Sequence, residues 1–183
     1  MNTDNMSLAG ETLDYGPCAF LDHYDPDAVF NSIDITGRYA YNSQSFAAQW
    51  NLARLAEALL ILFEGPESQA AARTTQAVQE FQPLYEEHLL NLMRGRLGLE
   101  AVMATDRQLI QDLQQLLAQQ KVDYHTFFLR LAEDVEGGGI TAGLFGADAG
   151  DYLNWYQRWH LRLTLTGRSY RQCADAMAAA NPM

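Results

Sequence analysis

From Ser43 to Ala180 the chain is a succession of apolar patterns at the helical period, each cut off by glycine or proline, and little of it alternates as a half-buried strand must. Ser43 or Ser45 can cap a helix running to about Phe63. Phe46, Ala47, Trp50, Leu52, Leu55, Leu59, Leu62 and Phe63 put apolar side chains on nearly every side of it. That is the pattern of a helix buried all round, and it predicts Trp50 in a core. Gly65-Pro66 ends this helix and opens the next. Residues 67–94 carry Val78, Phe81, Leu84, Tyr85, Leu89 and Leu92 on one face, and Pro83 predicts a kink or break near Gln82. Thr105-Asp106 and Asp123 read as caps of two further helices. Tyr152, Trp155, Tyr156 and Trp159 form an aromatic stripe on a helix from Asp148 to Leu165, a pattern that favours packing over ligand binding. A last helix starts at Ser169 and stops at Asn181-Pro182. The glycines at 137–139, 143 and 146 lack the Gly-Lys-Ser/Thr ending of a phosphate loop and read as a surface connection. The expected fold is mainly α, a single domain over 1–183 with loops over 1–42 and a helical body over 43–183. It has about six helices and a small loop or hairpin rim.

Charge narrows the partners. Twenty-three acidic residues against 12 basic ones leave a net charge of −11. Such a surface repels nucleic acid and anionic membrane, so neither is expected as a main partner. No run reaches the roughly 18 apolar residues of a membrane span, and the polar start is unlike a signal peptide. A cytoplasmic setting is the expectation. Cys18 and Cys173 are too few for a disulfide framework and read as free thiols.

Chemistry concentrates at the N-terminus, in Asn2-Thr3-Asp4-Asn5-Met6 and Asp14-Tyr15-Gly16-Pro17. Asp4 and Asn5 fall in a polar loop. Asp14 closes a short apolar piece around Leu8 to Leu13, and Gly16-Pro17 turns the chain away. An Asn and two Asp brought toward one point suit a hard divalent cation, which takes oxygen ligands and substrate phosphates. A carboxylate not needed by the metal can orient or deprotonate an attacking hydroxyl. Taken singly, each residue is ordinary turn or cap chemistry; in this order they point to a site. In the following loop, Asp25 and Asp27 read as solvated turn residues, while Asp22 and Asp34 are balanced between a turn role and a site role. Arg38 is expected to form an ion pair with one of the latter two.

The pattern resembles the active centre of kinase-like phosphotransferases, where a catalytic-loop Asp takes the substrate proton and an Asn and the Asp of Asp-Phe-Gly hold the metals. Protein kinases separate the base from the Asn by four residues; here Asp4 and Asn5 are adjacent. The adjacent pair, with Asp14-Tyr15-Gly16-Pro17 nine residues after Asn5, resembles the selenoprotein O (SelO) protein adenylyltransferases. The resemblance continues through Cys18-Ala19-Phe20-Leu21-Asp22, Tyr24-Asp25-Pro26, Asp34, Gly37-Arg38-Tyr39, Trp50-Asn51-Leu52 and Arg54-Leu55-Ala56, covering roughly the first sixty residues.

The resemblance implies a kinase-like fold, here its C-terminal lobe, that moves AMP from ATP onto Ser, Thr or Tyr hydroxyls of target proteins. It implies Asp4 as base, Asn5 and Asp14 as Mg²⁺ or Mn²⁺ ligands, and Asp14 as a contact to the nucleotide through that metal. Family members carry a nucleotide-binding N-terminal lobe before this motif, so the chain is expected to be a middle section, inactive when isolated. Two other readings remain open on the residues. One is a kinase transferring the γ-phosphate through the same groups; the other is a catalytically inactive helical binding module.

Overall fold

A computed structural model describes residues 3–11 and 19–181. The described residues form seven α-helices and no sheet: α1 Gln44–Leu59, α2 Glu67–Gln79, α3 Phe81–Arg96, α4 Asp106–Gln120, α5 Tyr124–Glu133, α6 Ala149–Thr164 and α7 Tyr170–Ala180. The mainly α class therefore stands. The only β pairing among them is an isolated bridge between His23 and Asp123. The expected hairpin is not seen in its described half, where Leu8 and Ala9 make a turn; residues 12–18 lie outside the described part.

Seven helices arise in place of about six because the segment 67–94 is cut in two. Pro83 has no N–H to donate to the carbonyl of Gln79, so the α-helical ladder cannot run through. The break falls at Glu80, and Pro83 takes a place in the first turn of α3, where its missing donor costs nothing. The cut lies a residue or two earlier than expected for the same reason.

Two compact units divide the chain. One comprises residues 1–20 and 26–87; the other comprises 21–25 and 88–183.

The second unit holds the large core. α4 turns Leu109, Ile110, Leu113, Leu116 and Leu117 inward, α5 contributes Phe127, Phe128 and Leu131, and α6 contributes Tyr152, Trp155 and Trp159. The aromatic stripe of α6 is thus core, as its spacing predicted. Both of its indoles find partners at depth: that of Trp155 donates to the carbonyl of Leu109 at 2.8 Å, and that of Trp159 to Leu97 at 3.0 Å. Helix ends are closed by sequence-legible chemistry. Asp123 accepts from the Thr126 N–H at 2.7 Å. Ser169 and Gln172 form a reciprocal capping box before α7. Beyond α7, Asn181 spans two helix ends, accepting from Arg96 Nε at 2.6 Å and donating to the carbonyls of Arg96 and Met177. Gly98 sits at φ +69°, and a Cβ there would lie 3.0 Å from Met177 Cγ, so backbone and packing both demand glycine.

At the start of α4 the structure corrects the cap assignment. Thr105 makes no side-chain cap bond. Asp106 instead accepts from the Met103 N–H at 2.9 Å, from Arg94 Nε at 2.9 Å and from Arg162 Nε at 2.8 Å. Arg162 also donates to the carbonyl of Ala101, and Arg94 to Asn91 Oδ1 at 2.6 Å. Asp106 is fully buried. Burial alone would push its carboxyl up; the bonds from Arg162, Met103 and Arg94 outweigh burial and hold it below the ordinary 3.8.

The first unit is built differently. α1 and α2 pack together, with Gln49 Nε2 donating to the Val78 carbonyl at 3.1 Å. Yet only Ser45, Ala47 and Asn51 of α1 are buried. Phe46, Ile61 and Leu62 are well exposed, and Trp50 is 44% exposed. The all-round apolar pattern therefore did not produce a helix buried on all sides. Such a helix needs apolar cover on every face, and α2, with Ala70 its one buried residue, offers little.

Removing Asp106 should strand two guanidinium groups in the core. Asp106→Ala is expected to cost on the order of 3–5 kcal/mol, read as a lower urea midpoint with an unchanged slope. Because the folded-state pKa of Asp106 is lowered, its stabilisation is complete above 3.8 and is lost as the pH falls through the folded value. Wild-type stability should therefore decline below that pH, and the variant's should decline less.

Candidate active site

Thr3–Asn5 form a single 3₁₀ turn. Asp4 and Asn5 are consecutive positions of its backbone. Asn5 is exposed. The chain then doubles back through Ser7, whose hydroxyl accepts from the Ala9 N–H at 3.1 Å, and through Gly10 at φ +72°.

One residue of the turn is anchored. Met6 is half-buried, and the Asn51 carboxamide of α1 donates to its sulfur at 2.8 Å. Asn51 is itself 4% exposed. Around this contact lies a cavity of about 400 Å³. Thr3, Met6 and Leu8 line it from the turn, and Asn51, Leu52, Arg54, Leu55 and Ala58 from α1. Spacings of three and four put Asn51, Leu55 and Ala58 on one stripe of the helix.

The loop leading to α1 is held by its own polar groups. Asp34 accepts from the backbone N–H of Tyr39 at 2.7 Å and of Arg38 at 2.9 Å. The bond from Tyr39 is the main reason its carboxyl sits below the ordinary value. Carbonyls of Pro26 and Ala28 accept from Asn42 and Tyr41 at 2.9 and 3.0 Å and close the loop. Asp34 is thus a turn organiser. Arg38 meets it through backbone alone, and its guanidinium lies over the Trp50 ring, 4.6 Å from the centroid. Arg54 covers the same ring at 5.1 Å and pairs with Glu57 at 2.6 Å. Exposed tryptophan faced by two cations is a common cation–π arrangement, and it takes the place of the core role expected for Trp50.

Of the three predicted site residues, Asp4 and Asn5 stand together on the turn. Asp14 and the Asp4 side chain lie outside the described part, so the full ligand set is not assembled by described atoms. What is described fits the predicted metal chemistry: Asn5 offers an exposed carboxamide oxygen, a hard donor of the kind Mg²⁺ and Mn²⁺ accept. Sequence reasoning gave no role to Asn51 or Arg54. The signal was there, since Asn51 is a polar residue set inside an apolar run.

Comparison with known proteins completes the picture. The family described as protein adenylyltransferase SelO matches residues 1–183. The chain belongs to the SelO family. The match takes in the helical body as well as the N-terminal sixty residues that carry the resemblance. Among curated relatives, the protein nucleotidyltransferase YdiU of Pelagibacter ubique is 41% identical over 184 residues, 100% of this chain and 37% of that protein. The protein of the same name from Cereibacter sphaeroides is 43% identical over 183 residues, and that from Bacillus cytotoxicus 42% over 182, again across the whole chain and 37% and 36% of theirs. The chain thus spans somewhat more than a third of the length of these SelO relatives. No helix among the described residues is long and apolar enough to cross a membrane.

The loop before α1 gives a local test. Asp34→Ala should raise amide hydrogen exchange at Arg38 and Tyr39 and leave the global unfolding midpoint unchanged. In the wild type the same protection should hold above pH 3.8 and fade as the pH drops through the lowered value of Asp34.

Proposed function

We propose that this chain carries the catalytic loop of an ATP-dependent protein adenylyltransferase, which moves AMP onto Ser, Thr or Tyr hydroxyls of target proteins. One observation carries the reading. An adjacent Asp4-Asn5 pair sits on a single turn, nine residues ahead of Asp14-Tyr15-Gly16-Pro17, in a chain of the SelO family. The names of the relatives, protein nucleotidyltransferases, support the reaction class. ATP as substrate fits work in the cytoplasm.

The chemistry follows from the residue types. Asp4 accepts the proton of the target hydroxyl as its oxygen attacks the α-phosphorus of ATP. The new bond joins that oxygen to phosphorus; the bond from the α-phosphorus to its bridging oxygen breaks, and pyrophosphate leaves. Asn5 and Asp14 would hold a divalent cation, Mg²⁺ or Mn²⁺, which supplies charge neutralisation on the phosphate oxygens. A reaction of this kind depends on positioning and charge more than on a covalent nucleophile. A neutral Asn beside a charged Asp serves that division: the carboxylate stays available for the proton while the carboxamide donates only oxygen.

The test uses the complete gene product that carries this chain. Incubated with Mg²⁺ or Mn²⁺ and ATP labelled at either the α- or the γ-phosphate, it should place only the α-label on protein. Label from the γ-phosphate alone would make it a kinase acting through the same residues. Asp14→Ala should abolish transfer, and retained activity would remove Asp14 from the metal set. Asp4→Ala should keep nucleotide affinity and slow transfer by roughly 10²–10⁴-fold. Loss of binding in that variant would mean that Asp4 is more than a base.

A further inference from the structure

The turn bearing Asp4 and Asn5 has little packing of its own. Thr3, Asn5, Ser7 and Leu8 are all exposed, and the turn is three residues long. A catalytic pair on so slight a support must be held from elsewhere, because a displacement of about 1 Å can cost on the order of a hundredfold in rate. Two features of the molecule meet that need at one place. Met6, the residue directly after Asn5, is drawn inward, and it meets the buried carboxamide of Asn51 from a helix 45 residues further along.

We propose that Asn51 is a positioning residue for the catalytic turn, acting through its hydrogen bond to Met6 to fix where Asp4 and Asn5 stand. The proposal rests on the transferase reading for its kinetic consequence, and on the Asn51–Met6 contact alone for its structural one. Burial of a carboxamide in an otherwise apolar run is costly without partners. An amide at this position of α1 is therefore better explained by what it holds than by helix propensity or packing. Leucine has the same branched outline and would suit the apolar wall formed by Leu52 and Leu55.

The contact is specific in its geometry. The amide N–H must donate, and the thioether sulfur can only accept. Substituting leucine on either side removes the bond, with size nearly unchanged at Met6 and a bulkier side chain at Asn51. Glutamine keeps the donor but moves it by one methylene. Asn51 touches no reacting atom in this scheme. Its effect should appear in turnover, through the placement of Asp4 and Asn5, and much less in the apparent affinity for ATP.

The experiment compares Asn51→Leu, Met6→Leu and the double variant in the complete gene product. Each single change should lower kcat by about tenfold or more and leave the KM for ATP within about threefold. The double variant should be no slower than the slower single, since both changes remove one bond. Asn51→Gln should recover part of the loss. Additive losses, or activity within twofold of wild type, would overturn the proposal. Pulsed hydrogen exchange over residues 3–11 is the second readout, with α4 as internal reference. Exchange should rise in the turn alone when Asn51 becomes Leu; no rise, or a rise in α4 as well, counts against a positioning role. Should the wild type transfer no AMP at all, the transferase reading fails, and the exchange result decides the Asn51–Met6 proposal by itself.

Discussion

The second unit depends on a carboxylate placed where no carboxylate could stay alone. Asp106 is fully buried, and three elements converge on it: Arg94 from α3, Arg162 from α6 and the Met103 amide from the connection into α4. Each partner answers a separate demand. The two guanidinium groups neutralise the charge, and the amide fills a remaining lone-pair direction. The position also lies in the first turn of α4, where negative charge is favoured by the helix dipole. None of these groups could be buried without the others, so the ends of three helices are fixed to one point. The indole bonds of Trp155 and Trp159 then set the depth of α6 against the carbonyls of Leu109 and Leu97.

Against that, the first unit shows how much a helix depends on its surroundings. α1 has the more apolar sequence, yet α6 has the more buried aromatic face. The difference is what each finds opposite. α6 faces the leucine stripe of α4, whereas α1 faces α2, a helix of alanine, threonine and glutamine with one buried residue. Apolar content states what a helix could bury; its partners decide what it does bury. The same reasoning accounts for Trp50, whose ring is covered by the guanidinium groups of Arg38 and Arg54 in place of a hydrophobic neighbour.

Much of the helical body was legible because helix signals are local. Asp123, Ser169 and Pro83 each act within a few residues of their own position, and each acted as its chemistry predicts. What could not be read was anything joining distant positions. Asp106 looked like half of a cap because the sequence shows Thr105 beside it and shows neither Arg94 nor Arg162 near it. The candidate site follows the same rule. Asp4 and Asn5 were legible as a pair because adjacency alone puts them on one turn. The role of Asn51 was not, since it depends on a contact across 45 residues.

On the proposed reading, an adjacent Asp-Asn pair serves where protein kinases use spaced residues, and the contact with Met6 bears on how it could. With a spacing of four, base and metal ligand sit on different parts of a loop, and each can be positioned by its own neighbours. With no spacing, one backbone turn must present both. Only the placement of the turn as a whole is left to set. On the proposal, an anchor at the next residue sets that placement. On this view Met6 belongs to the working unit as much as its neighbours do. The polar break that Asn51 makes in α1 is the corresponding cost, borne by a helix that gives up an apolar position to hold the turn.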